Sequence, residues 1–175
     1  MVVLLISLIA VDVLVVGTYF GMGRVVERIA TTTAIAEDRS EVATWTANIW
    51  KDYPLFGSGL GSFPVVYPRY AGQKSWWTYT HAHNDYLEFG AEVGAIGLSL
   101  LGLMVLMSFG AALRAQYLRR DPLMRGLSFA SMMGILALMI HSAVDFSLQI
   151  PANALTFMLF LAFAWISLHH DRIET

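Results

Sequence analysis

The chain contains no cysteine, which excludes a disulfide framework, a thiol nucleophile and a cysteine-based zinc site, and leaves the redox compartment unspecified. Charge is scarce as well. Only 14% of the 175 residues are Asp, Glu, Lys or Arg, against about one quarter in an ordinary soluble domain. A formal net charge of −2 supplies no basic field, so no nucleic-acid partner is expected. No internal repeat or low-complexity segment is visible. In place of charge, 57% of the residues are hydrophobic and the mean hydropathy is +0.58, the balance of a membrane protein. Chemistry must come from His, Arg, Asp, Glu or hydroxyl groups.

Val2 to Phe20 is almost wholly apolar and, at about 1.5 Å per residue, crosses most of a ~30 Å hydrocarbon core. A signal peptide would have a basic leader and a small-residue cleavage site. No Lys or Arg precedes this run and Asp12 stands in its middle, so residues 1–20 are expected to form a membrane helix. The lack of a polar leader before Val2 predicts that the natural protein begins further upstream. A second run, Val93 to Leu113, carries Gly94, Gly97, Gly102 and Gly110, small residues that let helices approach closely in lipid. Asp121-Pro122 makes a helix start, a cap followed by Pro at the first position, for a third helix over Leu123–Phe146. Pro151 opens a fourth that ends near Leu168.

The expected fold class is therefore all-α: a polytopic membrane protein of about four transmembrane helices, one at 1–20 and three within 93–168. Between them residues 21–92 form a large, partly helical loop, in which Glu37 to Asp52 reads as an amphipathic helix with Val42, Trp45 and Ile49 on one stripe. Pro54 ends it. Arg114, Arg119, Arg120 and Arg125 crowd the short link after the second helix, whereas six Lys or Arg are spread over the long loop. The positive-inside rule then makes 114–122 and the tail 169–175 cytoplasmic and the 21–92 loop extracytoplasmic.

The densest polar cluster is His81-Ala82-His83-Asn84-Asp85-Tyr86-Leu87-Glu88, at the mouth of the second membrane helix. His81, His83 and Asp85 alternate as metal ligands do on an extended segment, but on a helix such residues do not share a face. Tyr86 stands where a further His would be needed, so no metal is expected. Asn84 or Asp85, with Glu88, also fits a helix cap. Arg39 reads either as an exposed, salt-bridged helix end or as a planar fork for phosphate oxygens, and from the residues alone the first is favoured. Gly57-x-Gly59-x-Gly61 offers a phosphate cradle or a tight turn, and its aromatic and proline flanks favour the turn. Trp76, Trp77 and Tyr79 suit sugar stacking and interfacial anchoring equally. His141 and Asp145, at i and i+4 in the third run, are either functional or a structural polar contact between helices.

Taken in order, several pieces resemble the C-terminal half of the O-antigen ligase and polymerase superfamily of bacterial inner-membrane proteins. They are Arg39 followed by Trp45; Asp52-x-Pro54-Leu55-Phe56-Gly57-x-Gly59-Leu60-Gly61-x-Phe63; His83-Asn84-Asp85-Tyr86-Leu87-Glu88 leading into Glu92-x-Gly94-x-x-Gly97-Leu98; and His141-Ser142-x-x-Asp145-Phe146 with Pro151-Ala152. The resemblance implies a GT-C-like glycosyltransferase, free of metal and cofactor, with its active loop in the periplasm. It would move a glycan from a lipid-linked, polyprenyl-diphosphate donor to a hydroxyl of a glycan, lipid A or protein acceptor. By motif match the catalytic roles fall on His83 and Arg39. Asn84, Tyr86, Trp76, Trp77 and Gly59 are expected on the substrate side, with Asp85, Glu88, His141 and Asp145 supporting. Family members carry more membrane helices and a further arginine in an earlier loop, so the chain is expected to be a piece of a longer protein. Two other readings compete. One is a transporter or channel bundle with Asp12, His141 and Asp145 on a polar path; the other is a metal-dependent hydrolase built on His81, His83 and Asp85.

Overall fold

The structure, a computed structural model, describes residues 39–71 and 79–170. The chain divides into two compact units, 1–41 and 42–175, and of the first only residues 39–41 are described. The helix expected at 1–20 with Asp12, the pair Trp76 and Trp77, and the tail beyond His170 lie outside the described residues. Among the described residues the regular structure is all helical, and three helices are long and apolar enough to cross a membrane. The protein is an all-α, polytopic membrane protein.

Residues 39–52 form the first described helix, α1. Its stripe is Val42, Thr46 and Ile49, all buried. Thr46 sits on this apolar face because its hydroxyl donates back to the Val42 carbonyl at 2.7 Å, leaving no orphan polar atom. The stripe packs on Phe63 and Tyr67, held by two one-turn helices, α2 (Phe63–Val66) and α3 (Pro68–Ala71), and on Ala82 and Ala91. Trp45 lies edge-on to Tyr67 with ring centroids 5.9 Å apart.

Helix α4 (Asp85–Leu118) has 34 residues and begins eight residues before the apolar run. Asn84 starts it, its side chain accepting from the Leu87 amide at 3.0 Å. Glu88 does not complete a capping box: it reaches past the cap to the Ala82 amide at 2.7 Å.

α4 is broken at Gly94, where φ is 67° and ψ −174°. Expected as a packing glycine, Gly94 instead occupies a conformation that L residues avoid. The turn at 54–59 satisfies the broken ends. The amides of Ser58 and Gly59 donate to the carbonyls of Ala91 and Glu92 at 2.8 and 2.9 Å, and those of Ala95 and Ile96 donate to Pro54 and Leu55 at 2.8 and 3.2 Å. Contact is so close that a Cβ on Gly94 would run into the Leu55 backbone, and one on Gly57 (φ 71°) into that of Glu92.

Helices α5 (Pro122–His141) and α6 (Pro151–His169) complete a bundle in which each of α4, α5 and α6 touches the other two. Asp121 caps α5 through Leu123 N at 2.8 Å, with Pro122 at the first position. Small buried residues let the helices approach: Ala112 and Ala115 on α4, Ser128 and Ser131 on α5, Ala164 and Ser167 on α6. Between α5 and α6 a close glycine contact is at Gly134, which faces the Phe160 ring. Gly102 and Gly110, expected to pack neighbours, have nothing within 4 Å of a built Cβ among the described residues.

Expected to run to Phe146, α5 stops at His141. Backbone groups beyond it are used to dock on the start of α4: Ser142 O accepts from Asp85 N, and Leu148 N donates to Asp85 Oδ2, both at 2.9 Å. A short 3-10 turn (Ser147–Gln149) then leads to Pro151.

Candidate active site

The polar cluster is assembled where the start of α4 meets the turn after α5. Besides the two Asp85 bonds, Asn84 Nδ2 donates to Ala143 O at 2.9 Å and the Tyr86 hydroxyl to Met139 O at 2.8 Å. Asn84 and Tyr86, expected on the substrate side, are thus placed as ties between α4 and the 139–148 segment. So is Asp85, which is buried.

These ties fix Phe146 against both histidines. The His81 ring stacks on it with centroids 4.7 Å apart and planes 11° from parallel, and His83 meets it edge-on at 5.0 Å. His81 Nδ1 lies 2.9 Å from Glu88 Oε1, while Glu88 Oε2 takes the Ala82 amide, so both oxygens of this buried carboxylate are engaged. His81 therefore acts as a clamp between the incoming chain and the first turns of α4.

His83 has φ 53°, the one positive φ among the described non-glycine residues. Its Nδ1 lies 3.3 Å from Asp145 Oδ1, its side chain is 24% exposed, and Tyr79 lies edge-on at 6.3 Å. Asp145 also accepts from the Phe146 amide at 2.9 Å, which orients the carboxylate. His141 Nε2 is 3.9 Å from Asp145 Oδ2, too far for a hydrogen bond. The i, i+4 pair expected on one helix face is thus opened by the end of α5, and Asp145 turns to His83 instead. His141 thus ends α5 and Asp145 lies beyond it.

His81, His83 and Asp85 address three different partners, Glu88, Asp145 and Leu148 N. Among the described residues no group of three or more His, Asp or Glu is placed to hold a metal ion. Gly59, with φ 116°, gives its amide to Glu92 O, and the Gly57 amide goes to Tyr53 O at 3.1 Å, so this glycine run is a turn in which the Gly57, Ser58 and Gly59 amides are in use. Arg39 is exposed at the described start of α1, in the first unit. Phe146 is the site residue to which sequence reasoning gave no role; its signal was its place in the piece His141-Ser142-x-x-Asp145-Phe146.

Over residues 1–102 the chain matches the family model described as O-antigen ligase. The chain belongs to the O-antigen ligase family. As an O-antigen ligase family member it is a membrane enzyme of the glycan ligase or polymerase type. The match takes in Arg39, Gly59, His83 and the break at Gly94 and stops within α4, so His141 and Asp145 lie beyond it. Among curated proteins nothing matches the chain.

Proposed function

We propose that this O-antigen ligase family member transfers a glycan from a polyprenyl-diphosphate carrier to an acceptor hydroxyl, His83 taking the hydroxyl proton and Arg39 holding the diphosphate. The acceptor oxygen bonds to the anomeric carbon, the bond from that carbon to the diphosphate oxygen breaks, and the diphosphate leaves with the electron pair. The observation that carries this reading is His83 Nδ1 facing Asp145 at 3.3 Å. A carboxylate on Nδ1 favours the tautomer with the proton there, which leaves the Nε2 lone pair as the base. The left-handed backbone of His83 supports the same role, since such conformations cost roughly 1–3 kcal/mol and gather at functional sites.

Arg39 supplies a planar cation for charge developing on the leaving diphosphate. With base and cation both on side chains, the transfer needs neither metal nor cofactor. Trp76 and Trp77 stack on sugar faces, and the acceptor belongs to lipid A, a growing glycan or a protein. The protein lies in the bacterial inner membrane with the 21–92 loop in the periplasm and the arginine-rich 114–122 link in the cytoplasm. In the full-length protein, His83→Ala and Arg39→Ala each abolish glycan transfer in cells while membrane insertion survives. Normal glycan transfer by both variants refutes the assignment.

A further inference from the structure

The turn after α1 presents large apolar side chains to the outside: Leu55 is 57% exposed, Phe56 76% and Leu60 76%. Residues 53–68 contain no Asp, Glu, Lys or Arg, and charge returns only at the borders, with Lys51 and Asp52 before and Arg69 after. An uncharged, apolar surface of this kind is unusual for a turn in water.

The backbone of the turn is bonded into a membrane helix, and the level of that contact follows from length. Residues 93–113, between Glu92 and Arg114, are uncharged and rise about 32 Å. The hydrocarbon core is about 30 Å thick, so nearly the whole run is needed to cross it. Ile96 then lies about 5 Å inside the hydrocarbon edge, and the carbonyl of Leu55 accepts from its amide. Ile96 and Leu100 on α4 are themselves exposed, so the apolar surface runs on from the turn along a helix long and apolar enough to cross a membrane.

We propose that residues 54–60 form a re-entrant loop dipping into the leaflet on the His83 side, with Leu55 and Phe56 against lipid acyl chains and Leu60 at the headgroup boundary. Non-helical backbone persists at such depth only where protein satisfies its polar groups. At the helix break the turn and α4 do this for each other, through the amides of Ser58 and Gly59 and the carbonyls of Pro54 and Leu55. Lipid is the occupant because the apolar, uncharged surface of the turn continues, through those same bonds, the exposed apolar side of a helix long enough to cross a membrane.

The lack of cysteine makes the test direct. Single variants Leu55→Cys, Phe56→Cys, Leu100→Cys and Lys51→Cys of the full chain are labelled with bimane and reconstituted into phosphatidylcholine vesicles. Quenching is then measured with brominated phosphatidylcholine and with aqueous iodide. Labels at Leu55 and Phe56 are expected to follow Leu100, quenched by brominated lipid and shielded from iodide, with Lys51 showing the reverse. Iodide quenching equal to that at Lys51 overturns the proposal by placing the loop in water. Protection from both quenchers overturns it too, since the surface is then covered by protein. The substituted side chains are exposed, and a size-exclusion profile matching the parent verifies folding of each variant.

Discussion

In the proposed reaction His83 carries the chemistry, held in one place by two neighbours and its own backbone. Asp145 faces Nδ1, Phe146 meets the ring edge, and the left-handed backbone sets its direction. Asp145→Asn keeps the size of the side chain but loses the charge that favours the tautomer. It is expected to lower kcat for glycan transfer by about 10²-fold or more, as removal of a general base does, with KM near the parent value. Steady-state kinetics on the purified full-length protein check this, and a change confined to KM speaks against the pairing. A second residue-scale outcome concerns Tyr70, whose hydroxyl donates to Asp52 Oδ2 at 2.6 Å. That bond pushes the phenol up to about 12. Because the folded value is raised above the ordinary value near 10, the tie of α3 to α1 is complete below pH 10 and is lost as pH rises through 12. In absorbance titration at high pH, Tyr70→Phe should remove a late-ionising tyrosine. At this scale the sequence was partly legible: His83 and Asp145 stood out as polar residues in apolar surroundings. The partner of His81 did not, because Glu88 looked like part of a cap and its true reach to Ala82 depends on how the incoming chain folds back.

Among the elements, α4 departs furthest from its pattern. A glycine in an apolar run has the same signature whether it packs a neighbouring helix or breaks its own, so Gly94 was read as packing. What decides is the turn at 54–59, far away in sequence, whose amides and carbonyls replace those missing from the helix ladder. Gly94→Ala forces a side chain into a left-handed position and into the Leu55 backbone. The first effect alone costs about 1–3 kcal/mol, and the clash adds to it. Gly102→Ala, with open space around it inside a helix, is expected to raise stability by about 0.5–1 kcal/mol. Thermal unfolding of the two variants in detergent separates a structural break from a packing glycine, and equal stabilities contradict the account. The end of α5 was misjudged for a related reason. Hydropathy continues through Phe146, but the backbone of Ser142 and Leu148 is drawn to Asp85, and no local pattern announces a long-range bond. Starts were easier to read, since Asp121-Pro122 and Pro151 act within one turn of themselves.

For the whole molecule, composition already indicated an all-α membrane protein, and the three long apolar helices agree with it. The proposed topology makes a separate prediction. A cysteine at Arg120 should be labelled by a membrane-impermeant maleimide only after the inner membrane is opened, whereas one at Lys51 should react in intact spheroplasts. The reverse pattern would turn the active loop to the cytoplasm and remove it from a periplasmic acceptor. The central claim is that His83 drives transfer of a glycan from a polyprenyl-diphosphate carrier to a hydroxyl. Its most direct measurement follows a labelled carrier-linked glycan with purified full-length protein in vesicles, counting free polyprenyl diphosphate and glycosylated acceptor together. The account predicts one carrier released per glycan transferred, and a rate at least about 10²-fold lower for His83→Ala. Transfer at the parent rate by His83→Ala, or transfer that leaves the carrier unconsumed, would contradict it.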